Sequence, residues 1–284
     1  MSSIKEVFKD LLYYAPAKLI PSVFNFVALS FFTRLLSPAE YGNYTLVVTS
    51  VTIISAFTIT WISQANIRLY EKYNNIESRE MYVSTNVLFF FIINIIVTSL
   101  WLLFLTIFPN LFSSQLLYFL KIGTLYLFFE SGFAFSTGFL RAQRKSKLFM
   151  QQNLIKTVFG VLLSIVFIYY FSFGAEIILI VSAAFSAVFF LLVLGELNKK
   201  WKIQKHKFFK PIFLNSVKYG IPLSLTALAG YGLTLSDRYV IQMYFGPEQV
   251  GIYSAGYRLA EMSIFLLSGI LVFTAFPIIV STYE

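Results

Sequence analysis

The sequence contains no cysteine and few charged residues for its length. Without cysteine, these residues have no disulfides, no thiolate metal ligands and no cysteine nucleophile. Charged side chains make up 12% of the 284 residues, whereas soluble globular proteins carry about 25%. A chain with so little charge cannot cover a surface that faces water, so the composition excludes a soluble globular protein.

The sequence also lacks the motifs of common enzymes. We find no P-loop, glycine-rich nucleotide motif, zinc-ligand spacing or Ser/His/Asp constellation. The single histidine, His206, lies in a basic loop with no further ligands. We therefore expect no catalytic residues, no metal and no cofactor. The alternative from a different class is a membrane-embedded glycan polymerase or ligase, which typically needs a large external loop or an acidic and histidine cluster.

Long apolar runs dominate the sequence, which is 58% hydrophobic. A helix needs about 20 mostly apolar residues to cross a bilayer, and the lack of ten-residue alternating segments disfavours a β-barrel. The first ten residues do not resemble a signal peptide, so we expect the first apolar segment to be a retained span. The eight predicted spans are Leu11–Leu36, Tyr44–Ser63, Tyr82–Phe108, Leu116–Leu140, Leu154–Ser172, Glu176–Leu194, Asn215–Phe245 and Gly251–Val280.

Basic residues are distributed unevenly over the connecting segments. The N-terminal tail and the loops after the even-numbered spans hold 15 Lys and Arg residues, whereas the other loops hold only Arg34 and Arg238, both at span ends. The positive-inside rule therefore predicts a multi-pass protein of the plasma (inner) membrane with a cytoplasmic N-terminus. Because the net charge of +9 is confined to these short loops, it does not indicate a nucleic-acid partner.

One short motif occurs twice at equivalent places in the span order. Pro38, Gly42 and Tyr44 recur as Pro247, Gly251 and Tyr253, 209 residues later, each time between an odd and an even span. Six spans separate the copies, so the two repeats have the same orientation, as in transporters built from two parallel bundles. Chance recurrence of a turn sequence is the other interpretation.

This repeat predicts the fold class and its division. We expect an all-α integral membrane protein with a six-span helical bundle in residues 1–210, including a basic cytoplasmic linker. Residues 211–284 then form the first two spans of a second, parallel-repeat bundle. We accordingly expect the chain to be the N-terminal portion of a longer protein of about 12 to 14 spans.

Charged residues inside spans are the candidates for function, because each costs about 2.5–3.5 kcal/mol at the bilayer centre. Lys121, Lys156 and Lys218 lie near predicted span starts, where lysine side chains can reach the interface. The full set has seven basic and three acidic members, a surplus of four positive charges. Its other members are Lys18, Arg34, Glu130, Asp237, Arg238, Arg258 and Glu261.

Some of these charges have structural interpretations as well. Glu130 lies near the middle of the fourth span, where it is either a cavity residue or a structural carboxylate paired with a cation. Arg258 and Glu261 are three residues apart and can neutralise each other. Asp237 and the adjacent Arg238 are expected to point in different directions. The candidates for a substrate cavity are Lys18, Arg34, Glu130, Asp237 and Arg258.

Both hairpins and one further segment resemble a known family. The sequence TRLLSPAEYGNY in Thr33–Tyr44 is similar to the first hairpin of Wzx-type polysaccharide flippases. SDRYVI in Ser236–Ile241 and FGPEQVGIYSAGYRLAE in Phe245–Glu261 resemble the hairpin between the seventh and eighth spans, and GFLRAQR in Gly138–Arg144 resembles a third stretch. These flippases belong to the multidrug/oligosaccharidyl-lipid/polysaccharide exporter superfamily. The resemblance implies two six-span bundles.

The resemblance also implies a substrate, a polyprenyl-pyrophosphate-linked oligosaccharide. The surplus of positive charge favours an anion such as pyrophosphate in a cavity between the bundles, and alternating access would move it across the membrane. The other expected partners are membrane lipids and other polysaccharide-assembly proteins. An ion-coupled exporter of organic cations from the same superfamily is the alternative function, and a peptidoglycan or teichoic-acid precursor is an alternative substrate.

Overall fold

The computed structural model describes residues 20–21, 23–204 and 208–283, with side chains up to Ile264. All regular structure in these ranges is helical. Two short 3-10 turns, Tyr70–Lys72 and Pro109–Leu111, lie between longer helices. The helices are α1 (Val23–Leu35), α2 (Pro38–Thr58), α3 (Thr60–Leu69), α4 (Ile76–Ile107), α5 (Ser114–Ala142), α6 (Ser146–Phe171), α7 (Glu176–Trp201), α8 (Lys210–Leu235) and α9 (Asp237–Tyr283).

The helices confirm a multi-pass membrane protein. Within the described ranges, five helical segments are long and apolar enough to cross a membrane, and a sixth is obtained if α2 and α3, bent by 45°, act as one span. One of the five, Lys210–Ile264, comprises α8 and the first part of α9 and covers the predicted seventh span and part of the eighth. The described part of the predicted first span contains the helix Val23–Leu35. This helix is too short to cross a membrane by itself, so the first span stays a prediction.

Helix α2 begins six residues before the predicted start of the second span, because a capping box fixes its first turn. The Glu40 amide donates to Ser37 Oγ at 3.3 Å, and the Ser37 amide donates to Glu40 Oε2 at 3.0 Å. These bonds satisfy amides that have no partner inside the helix. Pro38, at the first helical position, has no amide hydrogen and therefore needs no acceptor. A hydropathy window omits such a turn because its residues are polar.

Ser37→Ala is expected to lower the free energy of unfolding by about 1 kcal/mol, since it removes the Oγ acceptor of this box. The measurement is the apparent melting temperature of the purified protein in detergent. Ser114→Ala is the matched control, because Ser114 is an exposed residue in the first turn of α5 and a surface change of this kind costs less than about 0.5 kcal/mol. Equal melting temperatures for the two variants would contradict a stabilising role of the box.

Helices α6 and α7 extend beyond the predicted fifth and sixth spans. Helix α6 begins at Ser146 instead of Leu154, and α7 ends at Trp201 instead of Leu194. The additional turns are polar and lie at the end of the bundle that carries the loops after α5 and α7, which we call the linker end. The extension of α6 places Lys156 ten residues inside the helix instead of near its start.

The predicted seventh and eighth spans, Asn215–Phe245 and Gly251–Val280, are separated by a break at Gly246. Gly246 has φ 79° and ψ 180°, which interrupts α9 between its short first part and the helix that starts at Pro247. A residue with a side chain is strained at this positive φ. The helix is therefore interrupted here, and the helix that follows packs against α2.

The two copies of the repeated motif contact each other directly. A Cβ on Gly42 would lie 1.9 Å from the carbonyl oxygen of Pro247, and a Cβ on Gly251 would lie 2.0 Å from the carbonyl oxygen of Pro38. The contact is thus reciprocal, with each glycine against the proline of the other copy. We call it the glycine crossing, and it joins the two hairpins at the end of the bundle opposite the linker end.

The segment between α7 and α8 is attached to α4 at the linker end. The Gln204 amide donates to Ser84 Oγ at 3.3 Å, and the Phe209 amide donates to Thr85 Oγ1 at 3.0 Å. Farther along α8, Gly220 packs so closely on α3 that a Cβ would lie 2.5 Å from the carbonyl oxygen of Trp61. The first half of α8 therefore lies against the helices of residues 1–210.

Candidate functional site: a cavity with two cationic side chains

A cavity of about 220 Å³ lies between α9 and helices from the first 210 residues. Helices α1, α2, α5, α6, α7 and α9 all contribute to its wall, which combines apolar side chains with several polar ones. Its volume corresponds to roughly seven water molecules at about 30 Å³ each, enough for a small polar group. The polar residues of the wall are Asn25, Tyr41, Tyr44, Tyr126, Lys156, Thr157, Ser164, Ser182 and Arg258.

Arg258 is the contribution of α9 to this wall. It lies about two turns after Gly251, and its guanidinium interacts electrostatically with the phenol groups of Tyr41 and Tyr44 on α2. Glu261 is a weaker electrostatic neighbour, and no ion pair within 4 Å joins Arg258 to an acidic group of the described residues. Arg258 therefore brings to the cavity a cation that has no ion pair within 4 Å among the described residues.

A second cavity of about 200 Å³ lies on the other side of the same three residues. Tyr41, Tyr44 and Arg258 line both cavities, so they form a partition between them. The wall of the second cavity has several polar side chains, and one of them is the carboxylate of Glu261. Its remaining polar members are Thr45, Thr49, Thr52, Tyr231, Arg238 and Ser254.

Lys156 is the second cation of the first cavity, and it has a close counter-ion. Its Nζ lies 2.6 Å from Glu130 Oε1 and 2.5 Å from Glu130 Oε2, and 4.1 Å from the centre of the Phe133 ring. Ser186 Oγ donates to Glu130 Oε2 at 2.6 Å. The Lys156 side chain is 16% exposed, so the expectation that it reaches the membrane interface was wrong. The reason is the early start of α6.

Asp237 is occupied by local contacts. Its Oδ1 accepts from the Arg238 amide at 2.8 Å and lies 3.2 Å from Arg238 Nη1, and its Oδ2 accepts from the Tyr253 hydroxyl. The expectation that the side chains of Asp237 and Arg238 point in different directions was wrong, because the guanidinium folds back toward Asp237 and the carbonyl oxygen of Thr234. This ion pair fixes the start of α9.

The structure thus brings some of the predicted cavity residues together and leaves others apart. Arg258 lines the first cavity, and Glu130 reaches it through Lys156. Arg34 is exposed on α1 and is absent from the wall, and Lys18 lies outside the described residues. Sequence reasoning missed the tyrosines of the wall, although Tyr41 and Tyr44 belong to the repeated hairpin motif. The described residues contain no group of three or more His, Asp or Glu side chains that could hold a metal ion.

Solved structures identify the class of fold. A multidrug resistance MATE family transporter of the MOP superfamily matches in its inward-facing conformation and its outward-facing conformation, each with a TM-score of 0.70 and 16% identity. A MOP superfamily transporter from Pyrococcus furiosus matches with a TM-score of 0.72 and 15% identity. The reverse polarity of its binding pocket is reported to suggest a different function for that protein. The chain therefore has the fold of MOP superfamily transporters.

The structural match covers most of this chain but only part of each solved chain. It covers 92–93% of the 284 residues and 62–63% of those three structures, so the chain spans less than two thirds of their length. The family model for polysaccharide biosynthesis proteins matches residues 7–283, and the chain belongs to that family. No curated protein matches it.

Proposed function

We propose that the protein is a transporter that flips a polyprenyl-pyrophosphate-linked oligosaccharide across the plasma membrane for polysaccharide biosynthesis and export. Membership of the polysaccharide biosynthesis family supports the substrate class, and the MOP superfamily fold supports transport. The observation that carries the proposal is Arg258, a cation without an ion pair within 4 Å among the described residues, in the wall of a polar cavity.

The charge of this cavity suits an anion. Glu130 neutralises Lys156, so Arg258 leaves a net positive charge next to three phenol groups that can donate hydrogen bonds. A pyrophosphate has oxygen acceptors in the geometry that guanidinium binds, and hydrogen bonds between charged partners are the strong ones. The glycan would occupy the wet space between the bundles, and the polyprenyl chain would stay in lipid.

We propose alternating access as the mechanism. Residues 1–210 and 211–284 would belong to two bundles that rock around the cavity, with the N-terminus in the cytoplasm as the basic loops indicate. The solved MATE family transporter with the same fold is known in inward-facing and outward-facing conformations. The glycine crossing at one end, and the packing of α8 on α3 at the other, are the contacts that would open in turn. Membrane lipids and other polysaccharide-assembly proteins are the proposed partners.

An exporter of organic cations is the second candidate. Such an exporter requires a free carboxylate in the cavity. Among the described residues, Glu130 is bound to Lys156 and Ser186. Asp237 is bound to Arg238 and Tyr253. Glu261, in the second cavity, is the observation in favour of this candidate. An enzyme is disfavoured by the family and by the fold.

Transport by the intact protein reconstituted in liposomes distinguishes these functions. A lipid-linked oligosaccharide with a fluorescent glycan is expected to become accessible to an external quencher faster in protein-containing than in empty liposomes, whereas ethidium, an organic cation, is expected to show no such difference. Transport of ethidium without movement of the glycolipid would overturn the proposal and favour the cation exporter.

A further inference from the structure

The Lys156–Glu130 pair occupies the wall of the proposed anion cavity in an unusual way. Lys156 lines the cavity, but both carboxylate oxygens of Glu130 lie within 2.6 Å of its ammonium group. A cation in this arrangement attracts a substrate anion weakly, because its charge is already compensated. Lys156 differs in this respect from Arg258, which has phenol groups as its neighbours.

If the ion pair separates, Glu130 and Lys156 are stabilised in different ways. Glu130 keeps the hydrogen bond from Ser186 Oγ, so its carboxylate is not left without a donor. Lys156 has a flexible four-carbon side chain, and its backbone lies on α6 together with Thr157 and Ser164 of the cavity wall. Rotation of this side chain would bring the ammonium group into the cavity without any movement of helices.

We propose that Glu130 is a built-in competitor of the substrate anion for Lys156. In the empty cavity Lys156 is bound to Glu130, and a bound pyrophosphate group draws it away, so that Lys156 and Arg258 hold the anion from α6 and α9 together. The inference rests on the proposed function, since it concerns the same anion. A ligand with a single weak charge does not separate the pair, so the competition favours highly charged anions such as pyrophosphate.

Competition predicts an effect of Glu130→Gln on anion binding that a purely structural ion pair does not. Glu130→Gln keeps the shape of the side chain but removes its charge, so Lys156 is released and the anion binds more tightly. Ser186→Ala acts in the opposite direction, because Glu130 loses its other donor and holds Lys156 more firmly. A structural pair predicts weaker binding for both variants, since each disturbs the cavity wall.

The test measures binding of farnesyl pyrophosphate to the purified intact protein in detergent by calorimetry, with uncharged farnesol as the control ligand. We expect the affinity for farnesyl pyrophosphate to rise about five- to tenfold in Glu130→Gln, and to fall in Lys156→Met and Ser186→Ala. The double variant Glu130→Gln/Lys156→Met is expected to bind farnesyl pyrophosphate as Lys156→Met does, because the increase in affinity depends on Lys156. Farnesol binding is expected to be equal in all variants.

The outcomes separate this inference from the proposed function. Unchanged or weaker binding by Glu130→Gln at a normal melting temperature would overturn the competition, as would unchanged binding by Lys156→Met. If Glu130→Gln does not fold, tighter or equal binding by Ser186→Ala overturns it instead. Equal binding of farnesyl pyrophosphate by the wild type and Arg258→Gln would count against the proposed function itself.

Discussion

Replacing Arg258 with glutamine is expected to lower surface polysaccharide at least tenfold, with a normal amount of protein in the membrane. Arg258 is the cation of the first cavity that has no acidic partner within 4 Å among the described residues. A hydrogen bond to a charged group contributes about 1.5–3 kcal/mol, which corresponds to a tenfold or larger loss of affinity at about 1.4 kcal/mol per factor of ten. Removing this charge also leaves its phenol neighbours without their cation.

Two further variants make this result specific to the cavity. Arg258→Lys keeps the charge but loses the planar guanidinium, so partial activity is expected. Lys218→Gln is the matched control with normal polysaccharide, because Lys218 is an exposed cation on α8. Surface polysaccharide is measured in cells whose own copy is deleted, and protein is measured by immunoblot. Wild-type polysaccharide with Arg258→Gln would exclude Arg258 from substrate binding.

The apolar runs and the hairpins could be predicted from sequence because each depends on local properties. A stretch such as Leu116–Leu140 is long and apolar enough for the membrane to determine its structure, and α5 (Ser114–Ala142) follows it closely. The break at Gly246 could be predicted because glycine followed by proline favours a turn. The start of α6 and the end of α7 could not, because these turns are polar and are stabilised by packing of Phe149 and Trp201 against other helices.

The cavity was predictable only in part, because the position of a charge depends on where its helix begins. The predicted span Leu154–Ser172 places Lys156 close to the membrane interface, whereas α6 begins at Ser146. Glu130 was recognised as a residue that is either paired with a cation or part of a cavity, and the structure shows the pair. Its partner lies 26 residues away on another helix, which no local pattern reveals.

Substituting alanine for Gly42 or Gly251 is expected to separate the two hairpins and to destabilise the protein. A Cβ at either position would lie about 2 Å from a carbonyl oxygen of the opposite repeat. Neither oxygen can rotate away, since both belong to the backbone of a helix start. Overpacking costs about 1–3 kcal/mol even where side chains can adjust, so α2 and the helix after Gly246 must move apart.

The melting temperature in detergent measures this cost, and Gly256→Ala is the matched control. Gly256 lies on the same helix as Gly251, and a Cβ there would meet nothing within 4 Å. Alanine at Gly256 is expected to be neutral or to stabilise by up to about 1 kcal/mol, because glycine is a poor helix former. A decrease of several degrees for Gly42→Ala and Gly251→Ala, with none for Gly256→Ala, is the expected pattern.

The absence of cysteine from these 284 residues allows a direct measurement of the separation. Ser254 is 3% exposed and lines the second cavity, three residues after Gly251. A Ser254→Cys thiol is therefore expected to react slowly with a water-soluble maleimide in detergent, and several-fold faster when Gly42→Ala is added. Equal rates would mean that the crossing tolerates a side chain, and the glycines would then not be what holds the two repeats together. A faster rate would show that separating α2 from the helix after Gly246 opens the second cavity to water.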